Sequence, residues 1–124
     1  MATQKSIIAD AELNVLKVLW QESPLTARDI AESLYQVATS SSIGTVQKLI
    51  SRLEEKGMII RNNTRSPHQF TTSITQEDVA GMQLDEFASK LSEGSLSPFV
   101  LHLVNAKKLS SSDKDEIRKM LDES

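Results

Sequence analysis

Thr45-Val46-Gln47-Lys48-Leu49-Ile50-Ser51-Arg52-Leu53-Glu54-Glu55-Lys56-Gly57 is the stretch whose reading decides the fold. Val46, Leu49, Ile50 and Leu53 recur at i, i+3, i+4 and i+7, the spacing of one apolar stripe on a helix. That spacing predicts a helix from about Ile43 to Lys56, closed by Gly57 where a left-handed C-cap is wanted. With about 100° per residue and Gly44 as zero, the apolar side chains fall between about 140° and 240°. Thr45, Gln47, Lys48, Ser51 and Arg52 occupy the opposite arc and face away from that stripe.

Upstream, Thr26 is a cap for a second helix whose apolar positions are Ala27, Ile30, Ala31, Leu34 and Ala38. Leu25 reads as a short extended linker, and Thr39-Ser40-Ser41-Ser42 reads as a loop. A first helix is expected from Asp10 as cap, carrying Leu13, Leu16, Leu19 and Trp20 and stopped near Ser23-Pro24. Downstream, Met58-Ile59-Ile60-Arg61 and Gln69-Phe70-Thr71-Thr72-Ser73 read as two short strands joined by the polar turn Asn62 to His68. Three helices followed by a β-hairpin make a winged helix-turn-helix, so the fold class is mainly α with a small β-hairpin.

From Thr75 the pattern is helical again, with Thr75 and Asp78 as a variant capping box. Val79, Met82, Phe87 and Leu91 form one loosely apolar face, Gly94-Ser95 breaks the chain, and Leu96, Phe99, Val100, Leu101, Leu103 and Val104 follow closely. Ser110 or Ser112 caps a last helix bearing Ile117, Met120 and Leu121. A segment this short cannot bury so much apolar surface in itself. The expected division is therefore a winged-helix DNA-binding domain over 1–74 and a helical dimerisation region over 75–124. Its dimer contacts are expected from Val79, Phe87, Leu91, Leu96, Phe99, Val100, Leu103, Val104, Ile117, Met120 and Leu121.

The net charge of the 124 residues is −3, unpromising for a ligand of phosphates until its distribution is read. Residues 42–72 carry five basic and two acidic side chains, whereas the segments on either side are acidic. In a helix-turn-helix the N-terminal part of the third helix enters the major groove. Thr45, Gln47 and Lys48 would then lie nearest the bases, with Ser51 and Arg52 further along. Gln suits adenine, a Thr methyl suits thymine, and Lys or Arg suits guanine edges or phosphates. Thr26 and Arg28 can offer a hydroxyl, backbone N–H groups and a cation to a phosphate. Arg61, Arg65 and His68 sit on or beside the hairpin, where a wing reaches flanking backbone. Each feature also has a plain structural explanation, because a solvated helix, a cap and a turn look the same.

Other chemistry has little support. There is no cysteine, which excludes disulfides, thiolate metal sites and a cysteine nucleophile, and only His68 and His102 remain as nitrogen ligands. Glu54-Glu55, Glu77-Asp78 and Asp85-Glu86 are adjacent on helices and diverge. No enzyme, metal or cofactor is expected. The N-terminus lacks the pattern of a secretory signal, and no apolar run approaches the roughly 20 residues that span a bilayer, so a cytoplasmic protein without direct membrane binding is expected. Two other classes compete with a DNA-binding repressor: a winged helix used as a protein-interaction module, and a regulator that takes a small molecule between helices.

Several strings resemble the BlaI/MecI penicillinase-repressor family, from about Ala9 to Leu121. They are Ala11-Glu12-Leu13-Asn14-Val15-Leu16-Lys17-Val18-Leu19-Trp20, Leu25-Thr26-Ala27-Arg28-Asp29-Ile30, the Thr45–Gly57 stretch, Gly94-Ser95-Leu96, and the tail from Lys108-Leu109-Ser110 to Met120-Leu121. The resemblance implies a winged helix that binds palindromic operators as a homodimer held by its C-terminal helices. It also implies repression, typically of β-lactam resistance genes, relieved when a membrane sensor-protease triggers repressor cleavage. The chain departs from the pattern at Gly44 and Gln47, where relatives usually carry Lys, and in the wing, which reads Ser66-Pro67-His68-Gln69-Phe70. The bond cut in the family joins Asn to Phe, and the corresponding position here is His102-Leu103. The cysteine-rich tail of the copper-responsive branch is absent.

Overall fold

A computed structural model describes residues 8–91 and 93–123. Helix α1 (Asp10–Gln21) places acidic Asp10 and Glu12 in its first turn, where the helix dipole favours them, and the Glu12 carboxylate accepts the Ala9 N–H at 2.9 Å. The cap is therefore Ala9, one residue before the expected Asp10. Strand β1 (Leu25–Thr26) leads into α2 (Ala27–Tyr35), whose start is a reciprocal box: Asp29 N–H donates to Thr26 Oγ1 and Thr26 N–H to the Asp29 carboxylate, both at 3.1 Å.

Helix α3 spans Ser40–Glu55, three residues longer at its start than the periodicity predicts. The reason is capping chemistry. Thr39 N–H donates to Ser42 Oγ at 2.8 Å and Ser42 N–H to Thr39 Oγ1 at 3.0 Å, so the serine cluster is a first turn rather than a loop. The far end matches the expectation for Gly57, which has φ +75°. Gly57 N–H bonds to Glu54 O and Met58 N–H to Leu53 O, each at 2.9 Å, a Schellman closure with Met58 and Leu53 both buried.

Strands β2 (Ile59–Asn62) and β3 (Gln69–Thr72) pair antiparallel, with Arg61 opposite Phe70 and Asn62 opposite Gln69. The sheet has a third member that the hairpin reading lacks. β1 pairs antiparallel with β3, Leu25 opposite Phe70, giving the order β1-β3-β2. The expected linker is thus an edge strand, because β3 has a free edge on which its backbone groups need partners.

The core of this unit is one cluster of Val15, Leu16, Leu19, Ile30, Ala31, Val46, Leu49, Ile50, Leu53, Met58, Ile59, Phe70 and Val79. All four apolar positions assigned to α3 lie within it. Trp20 packs against the cluster and its indole N–H donates to Ile74 O at 2.9 Å, tying the end of α1 to the segment after the wing.

Helix α4 (Gln76–Leu91) is started by the expected Thr75–Asp78 box, with bonds of 3.3 and 3.0 Å. The chain divides into compact units between Gln83 and Leu84, inside this helix and not ahead of it. Val79 falls on the core side of that division and is buried in the winged-helix cluster, which corrects its expected place on a dimer face.

The second unit contains the end of α4, α5 (Ser97–Asn105) and α6 (Ser111–Glu123), the last begun by a Ser110–Asp113 box with bonds of 3.2 and 3.0 Å. Phe87 and Phe99 contact each other with centroids 6.4 Å apart and planes tilted by 52°. Among the described residues from Leu84 onward, Ala88 alone is buried. Among the described residues no helix is long and apolar enough to cross a membrane.

Candidate nucleic-acid interface

The stripe that buries Val46, Leu49, Ile50 and Leu53 dictates what α3 shows on its other side. Thr45, Gln47, Lys48, Ser51 and Arg52 are all exposed there. Three elements meet around part of this face. The start of α2 supplies Thr26 and Arg28, α3 supplies Gln47 and Ser51, and the wing supplies Arg61, Pro67 and His68, which together line one open cleft floored by Ile50 and Phe70. Lys48, Arg52 and Arg65 are exposed but do not line that cleft. The structure therefore gathers Thr26, Arg28, Gln47, Ser51 and Arg61 in one place and leaves Lys48 and Arg52, one turn apart on α3, and Arg65 on the wing turn outside the cleft.

Hydrogen bonding limits what some of these groups can offer. Thr26 Oγ1 already accepts the Asp29 N–H, which leaves its hydroxyl proton and one lone pair. Thr45 Oγ1 donates back to Ser41 O at 3.1 Å, one turn earlier, which turns its proton away from any ligand and leaves its methyl group and two lone pairs. Thr64 N–H and Oγ1 bond to Asn62 Oδ1 at 3.0 and 2.7 Å, closing the start of the wing turn beside Arg65.

Arg61 differs most from the sequence reading. Its Nε and Nη2 donate to the two carboxylate oxygens of Glu54 at 3.0 and 2.8 Å, its Nη1 lies 2.9 Å from His68 Nδ1, and its Cζ sits 4.9 Å from the Phe70 ring centroid. The hydrogen bond from Arg61 holds the Glu54 carboxyl below the ordinary glutamate range, and Glu54 in turn raises Arg61. The Arg61 cation, expected as a DNA contact, is thus already paired with Glu54.

A second ion pair braces α3 from behind. Lys56 Nζ bonds to Glu12 Oε1 at 2.6 Å, joining the end of α3 to the start of α1, with Glu12 only 2 % exposed. Burial alone pushes the Glu12 carboxyl up, but the hydrogen bond and charge of Lys56, the Ala9 N–H and the charge of Arg52 outweigh it and hold it low. Neither Glu54 nor Glu12 was legible as a partner. Their cations lie 7 and 44 positions away in the chain, and no local spacing encodes such pairs.

Of the expected dimer residues other than Val79, Phe99 and Ile117 are partly buried and Phe87, Leu91, Leu96, Val100, Leu103, Val104, Met120 and Leu121 are exposed. His102 and Leu103 lie in consecutive positions near the C-terminal end of α5.

The family model described as "Penicillinase repressor" matches residues 8–123. The penicillinase repressor of Bacillus licheniformis is 28% identical over 116 residues, covering 94% of this chain and 90% of its own length. The methicillin resistance regulatory protein MecI of Staphylococcus aureus (strain N315) is 28% identical over 114 residues, 92% of each chain. Among solved structures, a MarR family protein from Bacillus stearothermophilus aligns with a TM-score of 0.49 at 19% identity, covering 86% of this chain and 76% of that one. With a family match that spans both compact units, the chain belongs to the penicillinase repressor family of DNA-binding transcriptional repressors and is not an enzyme.

Proposed function

We propose that the chain represses genes as a cytoplasmic homodimer, setting two copies of α3 into successive major-groove faces of a palindromic operator, with β-lactam resistance genes among its targets. The observation that carries this reading is the cleft where the start of α2, the polar face of α3 and the wing converge within the one basic segment of an acidic chain. Lys48 and Arg52 extend that face along α3, and Arg65 stands on the wing turn. Gln47 and Ser51 read base edges, while Arg28 and Arg65 hold phosphates.

Dimerisation is supported by the second unit, where Ala88 alone is buried among described residues while Leu91 is 71% exposed and Leu121 69%. Covering such side chains is worth about 1.5–3 kcal/mol each when complete. The relatives' names supply the gene class, penicillinase and methicillin resistance. Release follows a different route from the family's cleavage. His102-Leu103 replaces the Asn-Phe pair and lies within α5, so a protease would have to open the helix first and would then meet the wrong side chains.

Selection of bound duplexes from a random-sequence pool tests the core of this. The expected result is two inverted half-sites separated by about one helical turn or a multiple of it. Lys48→Ala and Arg52→Ala should then weaken binding to the selected duplex by about 1–3 kcal/mol where the contact is to a base edge. No enriched sequence, or full affinity in both variants, removes the groove assignment.

A further inference from the structure

The guanidinium of Arg61 is shared among three elements. Two of its nitrogens hold both oxygens of Glu54 in the last turn of α3, the third meets His68 at the end of the wing turn, and its Cζ lies over the Phe70 ring of β3. Arginine has no acceptor, so His68 Nδ1 must accept this bond, which puts the neutral ring's proton on Nε2. Phe70 is buried and anchors the assembly to the core. The wing turn itself, residues 63–67, is exposed throughout.

We infer that Arg61 and Glu54 are positioning residues: they fix the wing, and Arg65 with it, against the recognition helix, and Arg61 makes no phosphate contact of its own. This rests on the DNA-binding reading of α3 and the wing. Two physical points support it. Glu54 holds the Nε–Nη2 edge of Arg61 in a bidentate fork, the strongest form of such a pair, so a phosphate could reach only the remaining Nη N–H groups and would meet the repulsion of that carboxylate. And an ion pair this exposed contributes little to global stability, so its fork, ring contact and imidazole bond matter for orientation instead.

Charge makes the test sharp. Removing a carboxylate next to a DNA-binding face should strengthen binding on electrostatic grounds alone, whereas loss of the brace should weaken it. With the full chain and a mixed-sequence duplex, Glu54→Ala should therefore bind about two- to fivefold more weakly than the parent, the population change that such a pair commands. Arg61→Lys keeps the charge but loses the fork and the ring contact, and should be as weak as Arg61→Gln. Because the chain has no cysteine, nitroxide labels at Asn63→Cys and Glu55→Cys report wing position without DNA. Their distance distribution should be narrow in the parent and broad in Glu54→Ala and Arg61→Lys, with unchanged circular dichroism in all. Tighter binding by Glu54→Ala, parental affinity in Arg61→Lys, or distributions that stay narrow would each overturn the proposal. Broadening without any duplex binding by the parent would overturn the DNA reading and leave a brace that serves the fold alone.

Discussion

Lys56→Ala should destabilise the winged-helix unit strongly at neutral pH and hardly at all in acid. Glu12 is 2 % exposed and holds two donors in the structure, Lys56 Nζ at 2.6 Å and Ala9 N–H at 2.9 Å. Deleting the lysine leaves a buried carboxylate with one neutral donor. Breaking a fully buried pair from one side costs about 3–5 kcal/mol, and because Lys56 is 23% exposed and water can enter where it stood, about 2–3 kcal/mol is expected here. The pH dependence follows from the same geometry. In the parent, the Glu12 carboxyl is held below its unfolded value, so its contribution is present above about pH 4.3 and is lost as pH falls through the folded value. In Lys56→Ala only burial and the Ala9 bond remain as strong influences, and burial raises the carboxyl. The variant's folded value therefore lies above the parent's, so the difference between them is full at pH 7 and shrinks as the carboxyl takes up a proton. The difference between parent and variant should therefore shrink from about 2–3 kcal/mol at pH 7 to under about 1 kcal/mol near pH 4. Urea titrations at several pH values and one protein concentration measure it. A difference that is small at pH 7, or independent of pH, would show that Lys56 does not compensate a buried charge.

The remaining expectations concern assembly and release. A chain ending at Gln83 keeps Val79 and Met82 against the core and should be a folded monomer by sedimentation, with much weaker binding to a two-half-site duplex because the sites are no longer linked. A chain ending at Ser73 loses Val79, Met82 and the Ile74 carbonyl that accepts the Trp20 N–H, and should be less stable than the Gln83 form by about 2 kcal/mol or more in urea. Mass spectrometry of the protein from β-lactam-treated cells should find no fragment ending at His102; such a fragment would show that the His102-Leu103 bond is used despite its side chains.

The helices, the left-handed closure at Gly57 and the split of α3 into a buried and an exposed face were all legible in the sequence. They depend on neighbours three or four residues apart, and a period of 3.6 exposes them directly. The same local logic, the family strings at Ala11–Trp20 and Thr45–Gly57, and the absence of cysteine sufficed to place the chain among repressors and away from enzymes. Where the sequence reading fell short locally, the cause was ambiguity in short polar side chains: Thr39 to Ser42 suit a loop and a capped first turn equally, and the pairing Thr39 found with Ser42 decided for the turn. The tertiary structure alone decided four things. Leu25 became an edge strand because β3 offered it an edge. Val79 was drawn into the winged-helix core although its spacing also fits the face of α4 expected to dimerise. Glu54 took Arg61 from the list of free cations, and Glu12 took Lys56. In each case the partner is remote along the chain, and its approach depends on how whole helices and strands pack, which no sequence period records.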